Sequence, residues 1–283
     1  MNIQKFIERY KDNWFVKLFI RIEKHEALGY SAQLAYFFLL SLFPLLISVF
    51  SILPYLPIDQ HHIMDFLKDF APGETLDFIR DNLNSIFASQ NSGLLSFGII
   101  ATLWAASNGM NAVIRAVNRA YEIEENRHFL IVRGMSVILT IVMIFVFFVA
   151  LLIPVFGKNI GIYIFSKLGK TAEFIHVWST IRWFISSLIL FIVFSVVYTI
   201  TPNRKIQCLT VLPGAIFSTV GWIASSIGFS FYVNNFGNYT LMYGSLGVII
   251  VLIIWFYLTG AVLIIGGEIN GLNEEMKRGK KCD

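Results

Sequence analysis

The chain has 283 residues, 56% of them hydrophobic and only 14% charged, with a formal net charge of +4. Soluble domains carry about 25% charged residues, so this composition and a mean hydropathy of +0.68 exclude an ordinary soluble enzyme or binding module. The basic surplus does not indicate nucleic acid, because Lys and Arg accumulate on the cytoplasmic loops of membrane proteins.

Residues 1–26 contain Lys5, Arg9, Lys11, Lys17, Arg21 and Lys24. They leave no uninterrupted apolar core of the kind a cleavable signal needs, so the first span is expected to act as its own insertion signal. Ile3, Phe6, Ile7, Tyr10, Trp14, Leu18 and Ile22 share one helical face. The segment 1–26 therefore reads as a cytoplasmic amphipathic helix. It lies on the inner membrane surface or docks on the cytoplasmic end of the bundle.

Runs without Asp, Glu, Lys or Arg follow at 27–58, 82–114, 134–157, 183–203 and 206–267. A spanning helix needs about 20 apolar residues. The last run holds 62 residues, too many for one span, and breaks at the polar, turn-prone stretch 233–243. Six spans result, at 30–54, 92–114, 134–156, 182–202, 209–232 and 244–267. Loops on one side then hold sixteen Lys and Arg, those on the other five. That bias puts both termini in the cytoplasm. The fold class is thus all-α: a polytopic membrane protein with six transmembrane helices. Residues 27–272 form the membrane domain and 273–283 a basic cytoplasmic tail. Cys208 and Cys282 fall on the reducing side and read as free thiols.

Between the first two spans, 59–91 reads as an external helical hairpin broken at Ala71-Pro72-Gly73. Six acids lie between Asp59 and Asp81; they form a solvated face or one that attracts cations.

No span carries a charge near its centre, but several carry uncharged polar groups. Span one holds Gln33, Tyr36 and Ser41 before a kinking Pro44. Span two ends with Asn108 and Asn111 on one face. Glu268 follows span six at the inner interface. Gln33, Tyr36, Pro44, Asn108, Asn111 and Glu268 are the candidates for a cavity or transport route. The competing account is polar bonding between helices and, for Glu268, solvation or pairing with an arginine. Small residues in span five (Gly214, Ala215, Ser218, Gly221, Ser225, Ser226 and Gly228) point to close packing. Gly93, Trp104 and Gly109 share their spacing with Gly244, Trp255 and Gly260. No phosphate loop, HExxH or GxSxG motif occurs. No catalytic residues, metal ligands or cofactors are expected.

Several stretches resemble signatures of the YihY/BrkB-like membrane proteins. They are Ala32 to Pro44 (AQLAYFFLLSLFP), Asn118-Arg119-Ala120-Tyr121 with Glu125 and Arg127, Pro213-Gly214-Ala215, Tyr243 to Gly247, and Gly267-Glu268-Ile269-Asn270. The resemblance covers about residues 20–272. It implies a bacterial inner-membrane protein with six helices, from a family once labelled ribonuclease BN. A transporter, permease or lipid translocator of unknown substrate is the leading expectation; a membrane scaffold or envelope-maintenance factor is the alternative. The loops are too short to build a site for RNA cleavage, so no enzyme is expected. The expected partners are the lipid bilayer and a small solute, ion or lipid. Self-association is left open, and nucleic acid is not expected.

Overall fold

The computed structural model describes residues 13–55, 92–166, 171–206, 208–236 and 246–279. The external hairpin 59–91, residues 1–12 and all of the expected break 233–243 beyond Phe236, where the helix before it ends, lie outside the described residues. Among those described there are seven α-helices and no strand. They are α1 (Trp14–Lys24), α2 (Ala27–Ile52), α3 (Ser92–Ala120), α4 (Phe129–Ser166), α5 (Thr171–Ile200), α6 (Cys208–Phe236) and α7 (Leu246–Gly279). The six from α2 to α7 are long and apolar enough to cross a membrane. The protein is an all-α, six-span membrane protein.

Several helices outrun the spans expected from hydropathy. α4 has 38 residues and α7 has 34. At 1.5 Å per residue, lengths of about 57 and 51 Å exceed a hydrocarbon core of about 30 Å. α4 continues to Ser166 and α5 begins at Thr171, so most of the expected outer loop 157–181 is helix. Likewise α7 runs through 273–279, the start of the expected tail. Charge-free runs mark where lipid contact ends. Backbone i→i−4 bonding needs no lipid and continues until the chain meets a real stop.

The chain divides into two compact units: Phe38–Ala106, and the remaining described residues up to Phe37 and from Ser107 onward. In the first of these, Pro44 sits inside α2 and its carbonyl accepts a 2.9 Å hydrogen bond from Ser48 Oγ. α3 crosses there at Gly98, where a Cβ would lie 2.6 Å from Ser48 Oγ and 3.1 Å from Pro44 O. Glycine is what lets the two backbones approach.

In the second unit α4, α5, α6 and α7 pack in chain order, and α1 docks on α7. The core runs through Val113, Ile114 and Val117 of α3, Val197 and Tyr198 of α5, Ala215 of α6, and Ile264 and Leu272 of α7. Phe145, Phe184, Ile216 and Val248 point outward, as side chains that meet lipid do. α6 and α7 cross at Gly214 and Gly266. A Cβ on Gly214 would collide with Gly266 O, and one on Gly266 with Ser218 and Tyr198. Ser218 Oγ bonds Tyr198 Oη at 2.7 Å, and Tyr198 Oη donates to Leu263 O at 2.5 Å. The small-residue stripe of span five is thus used in its first half. Among the described residues, nothing lies within 4 Å of a Cβ at Gly228. The Trp104/Trp255 echo has unlike surroundings: Trp104 is largely exposed, whereas Trp255 meets Trp222 edge to face at 6.2 Å.

Candidate functional site

The candidate site is built where α1 returns onto the ends of α3 and α7. Asn13 caps α1, its Oδ1 accepting from Phe15 N at 2.9 Å. The helix ends at His25, and Glu26 adopts a left-handed φ of 55° that turns the chain into α2. Arg21 and His25 are four residues apart and share a face. Both are buried, 8% and 4% exposed, and both reach Glu268 of α7, which is 1% exposed. His25 Nδ1 lies 2.9 and 3.0 Å from the two Glu268 oxygens. Arg21 Nε donates to Glu268 Oε2 at 3.4 Å, Nη1 to Glu275 Oε2 at 2.6 Å and Nη2 to Ala120 O at 2.5 Å.

That last carbonyl belongs to the end of α3, where backbone acceptors lack helical partners and the dipole favours a cation. Arg21 therefore closes α3 and neutralises Glu268 together. Gly271 makes this possible, since a Cβ there would collide with Ala120 O. A charge buried so deeply is tolerated only when paired and hydrogen-bonded, and here the partners come from α1, α3 and α7.

The rim is a second network. Glu122, at φ 52°, accepts from Lys24 Nζ at 2.9 Å and lies 3.5 Å from His25 Nε2. The Lys24 bond holds the Glu122 carboxyl below the usual carboxylate range, against partial desolvation. Glu125 is gripped from two sides by Arg127, Nε to Oε1 at 2.8 Å and Nη2 to Oε2 at 2.5 Å. Asn118 Nδ2 adds a bond to it at 2.8 Å. The Arg127 bond is the chief reason the Glu125 carboxyl is also held low. Asn118 Oδ1 in turn accepts from Asn203 N at 2.8 Å, and Arg127 donates to Thr201 O at 3.1 Å. One short turn is thereby stitched to the α5–α6 connection.

Of the three cavities that open here among the described residues, two adjoin the rim network most directly. The larger, of about 600 Å³, is lined by Lys24, Tyr30, Arg115, Arg119 and the turn 122–125. A smaller one of about 160 Å³ lies between Arg21, Tyr121, Arg204, Gly271 and Glu274. Arg204 pairs with Glu274. Neither the Tyr121 hydroxyl nor the Asn270 amide nitrogen completes a hydrogen bond of ordinary geometry. Burial raises the Tyr121 pKa, Glu274 raises it further, and Arg204 and Asn270 oppose both.

The residues singled out by sequence divide among separate surroundings. Gln33 Oε1 accepts from Arg115 at 3.3 Å, and Asn108 Oδ1 accepts from Arg133 at 2.7 Å. Glu268 enters the buried cluster. Asn111 is half-buried on α3, and Tyr36 is 59% exposed. Pro44 belongs to the other unit. Arg21 and His25 were not singled out. Their signal was there, as two basic-capable groups four apart on an amphipathic helix, but nothing local distinguishes them from Lys17 or Lys24.

The family profile described as Virulence factor BrkB matches residues 18–282. The chain is 50% identical over 262 residues to the Putative ribonuclease-like protein YfkH of Bacillus subtilis, covering 93% of this chain and 95% of that one. It is 26% identical to a UPF0761 membrane protein of Alteromonas mediterranea, covering 94% and 90%. It is also 26% identical to one of Chlorobium luteolum, covering 90% of this chain and 59% of the longer relative. No solved structure matches the chain. A match over nearly the whole length, on a bundle where Asn118 to Arg127 meets Gly267 to Asn270, shows that the chain belongs to the Virulence factor BrkB family of membrane proteins.

Proposed function

We propose that the protein is a permease or lipid translocator of the bacterial inner membrane, with both termini in the cytoplasm and no catalytic activity. The observation that carries this reading is the way the spans end. The first two membrane helices, with the end of α1 and the turn 122–125, line a polar, charged opening of about 600 Å³, beside a buried ion cluster that costs folding energy to build. Ionisable groups in membrane helices pair with one another or face a water-filled cavity, and they often mark solute or ion pathways. The ribonuclease label belongs to the Bacillus relative. The substrate is a small solute, ion or lipid, and nucleic acid is not a partner.

The test is reconstitution of purified protein into liposomes, following cation and small-solute flux and flipping of labelled lipids. A flux lost in the Gln33→Ala/Asn111→Ala variant places the route along those residues. A flux that this variant keeps removes them from it. Absence of flux for every probe moves the reading to the scaffold alternative. That alternative draws on Phe15 and Phe19, 73% and 64% exposed on the face of α1 away from α7, a surface suited to docking.

A further inference from the structure

The two arginines of the large cavity differ from four cations close to them. Lys24 is matched by Glu122, Arg127 by Glu125, Arg204 by Glu274, and Arg21 by Glu268 and Glu275. Among the described residues, Arg115 and Arg119 meet only neutral oxygens, and those at long range. Arg115 Nη2 donates to Gln33 Oε1 at 3.3 Å, and Arg119 Nη2 to the Lys24 carbonyl at 3.3 Å. Both side chains are exposed to the cavity. They stand four residues apart on α3, so they share a face about 6 Å apart along the helix axis. Two carboxylates of the same wall, Glu122 and Glu125, are already held by Lys24 and Arg127. The cavity thus presents two guanidinium forks with unspent donors, together with Tyr30 and Asn118.

The depth of the cavity narrows what fills it. Leu28, two residues before Tyr30, is 50% exposed, and Phe129 and Leu130, just after the turn 122–125, are 70% and 68% exposed. Large apolar side chains left open so close to the cavity belong at the edge of the hydrocarbon. The arginines therefore stand at headgroup level. Guanidinium recognises phosphate through paired, charge-assisted hydrogen bonds.

We propose that Arg115 and Arg119 form a binding site for a phosphodiester, supplied by the headgroup of a membrane phospholipid. The site stands apart from the transport reading, since a scaffold that moves nothing would hold a lipid there equally well.

The test uses the full chain, purified in detergent, with native mass spectrometry of bound lipid. Phosphatidylglycerol is titrated against diacylglycerol with the same acyl chains, which lacks the phosphate, and against glycerophosphoglycerol, the deacylated headgroup. The variants are Arg115→Gln, Arg119→Gln, the pair together, and Lys277→Gln as an exposed basic control at the same end. Because both arginines sit at the surface, their loss leaves the core intact, and each single variant reads the site separately. Each is expected to weaken phosphatidylglycerol binding by about tenfold, while Lys277→Gln changes it by less than about twofold. Diacylglycerol is expected to bind weakly and alike to every variant. Unchanged phosphatidylglycerol binding in the double variant overturns the site. Glycerophosphoglycerol competing at equal concentration overturns the lipid as its occupant, leaving a soluble phosphodiester.

Discussion

At the scale of single residues, Arg21 carries the most. Its guanidinium satisfies Glu268, Glu275 and the end of α3 at once. Arg21→Met leaves Glu268 buried and short of its cation, and is expected to cost about 3–5 kcal/mol. Thermal unfolding in detergent reads this as a fall in Tm. Adding Glu268→Gln to Arg21→Met should recover part of the loss, so the pair is non-additive. Strict additivity would mean the two groups do not sense each other. Glu125 supports a second prediction. Its carboxyl is held low in the folded protein, so below the ordinary carboxylate range the unfolded chain binds more protons. Stability contributed above that range is lost as pH falls through the folded value. Between about pH 7 and about pH 3, Glu125→Gln should flatten the fall in Tm; an unaltered profile would assign the acid sensitivity elsewhere. Residue by residue, the sequence was partly readable. Glu268 was visible as the acid after span six, and pairing with an arginine was one reading of it. Which arginine was not visible, because Arg21 lies 247 positions away and nothing local separates it from its basic neighbours.

At the scale of helices, the governing contacts are glycine crossings. Gly266→Ala forces a methyl group into Ser218 and Tyr198, and overpacking of this kind costs about 1–3 kcal/mol. Gly228→Ala meets nothing among the described residues and should leave Tm unchanged or raise it slightly, since alanine favours helix. Equal effects at both positions would argue against the crossing. Span count was legible because charge is costly in hydrocarbon and leaves a plain record in the sequence. Helix ends were not, as α4 and α5 show, because the hydrogen-bond ladder ignores where lipid stops. The amphipathic pattern of α1 was legible too. Its choice between membrane surface and bundle was not: the Trp14–Asn273 and Arg21–Glu268 contacts decide that for Trp14–Lys24, and both are long-range.

At the scale of the whole molecule, the charged loops and the two chain ends can be tested together. Trp14 Nε1 reaches Asn273 Oδ1 at 3.4 Å, so the described chain begins and finishes at the same end of its unit. With sixteen Lys and Arg on that side against five on the other, reporters fused to either terminus should be active only in the cytosol. A reporter active outside at one end would change the number of spans. The six-span architecture was readable from the charge-free runs and the Lys and Arg bias of the loops between them. The opening lined by Arg115 and Arg119 was not, because it arises from two chain segments, 24–30 and 115–125, that meet only after folding.

The clasp between α1 and α7 also has a consequence in time. Arg21 leaves the ribosome 247 residues before Glu268. At synthesis rates of about 5–20 residues per second, that is a wait of roughly 12–50 s. Throughout it, a helix with an arginine-bearing face and exposed Phe15 and Phe19 lacks its partners on α7, although Ala120 and Glu122 at the end of α3 emerge earlier. Its aromatic face gives it somewhere to stay, at the membrane surface, until the last span arrives. α1 is therefore held first by lipid and later by protein, and its two faces serve these stages in turn.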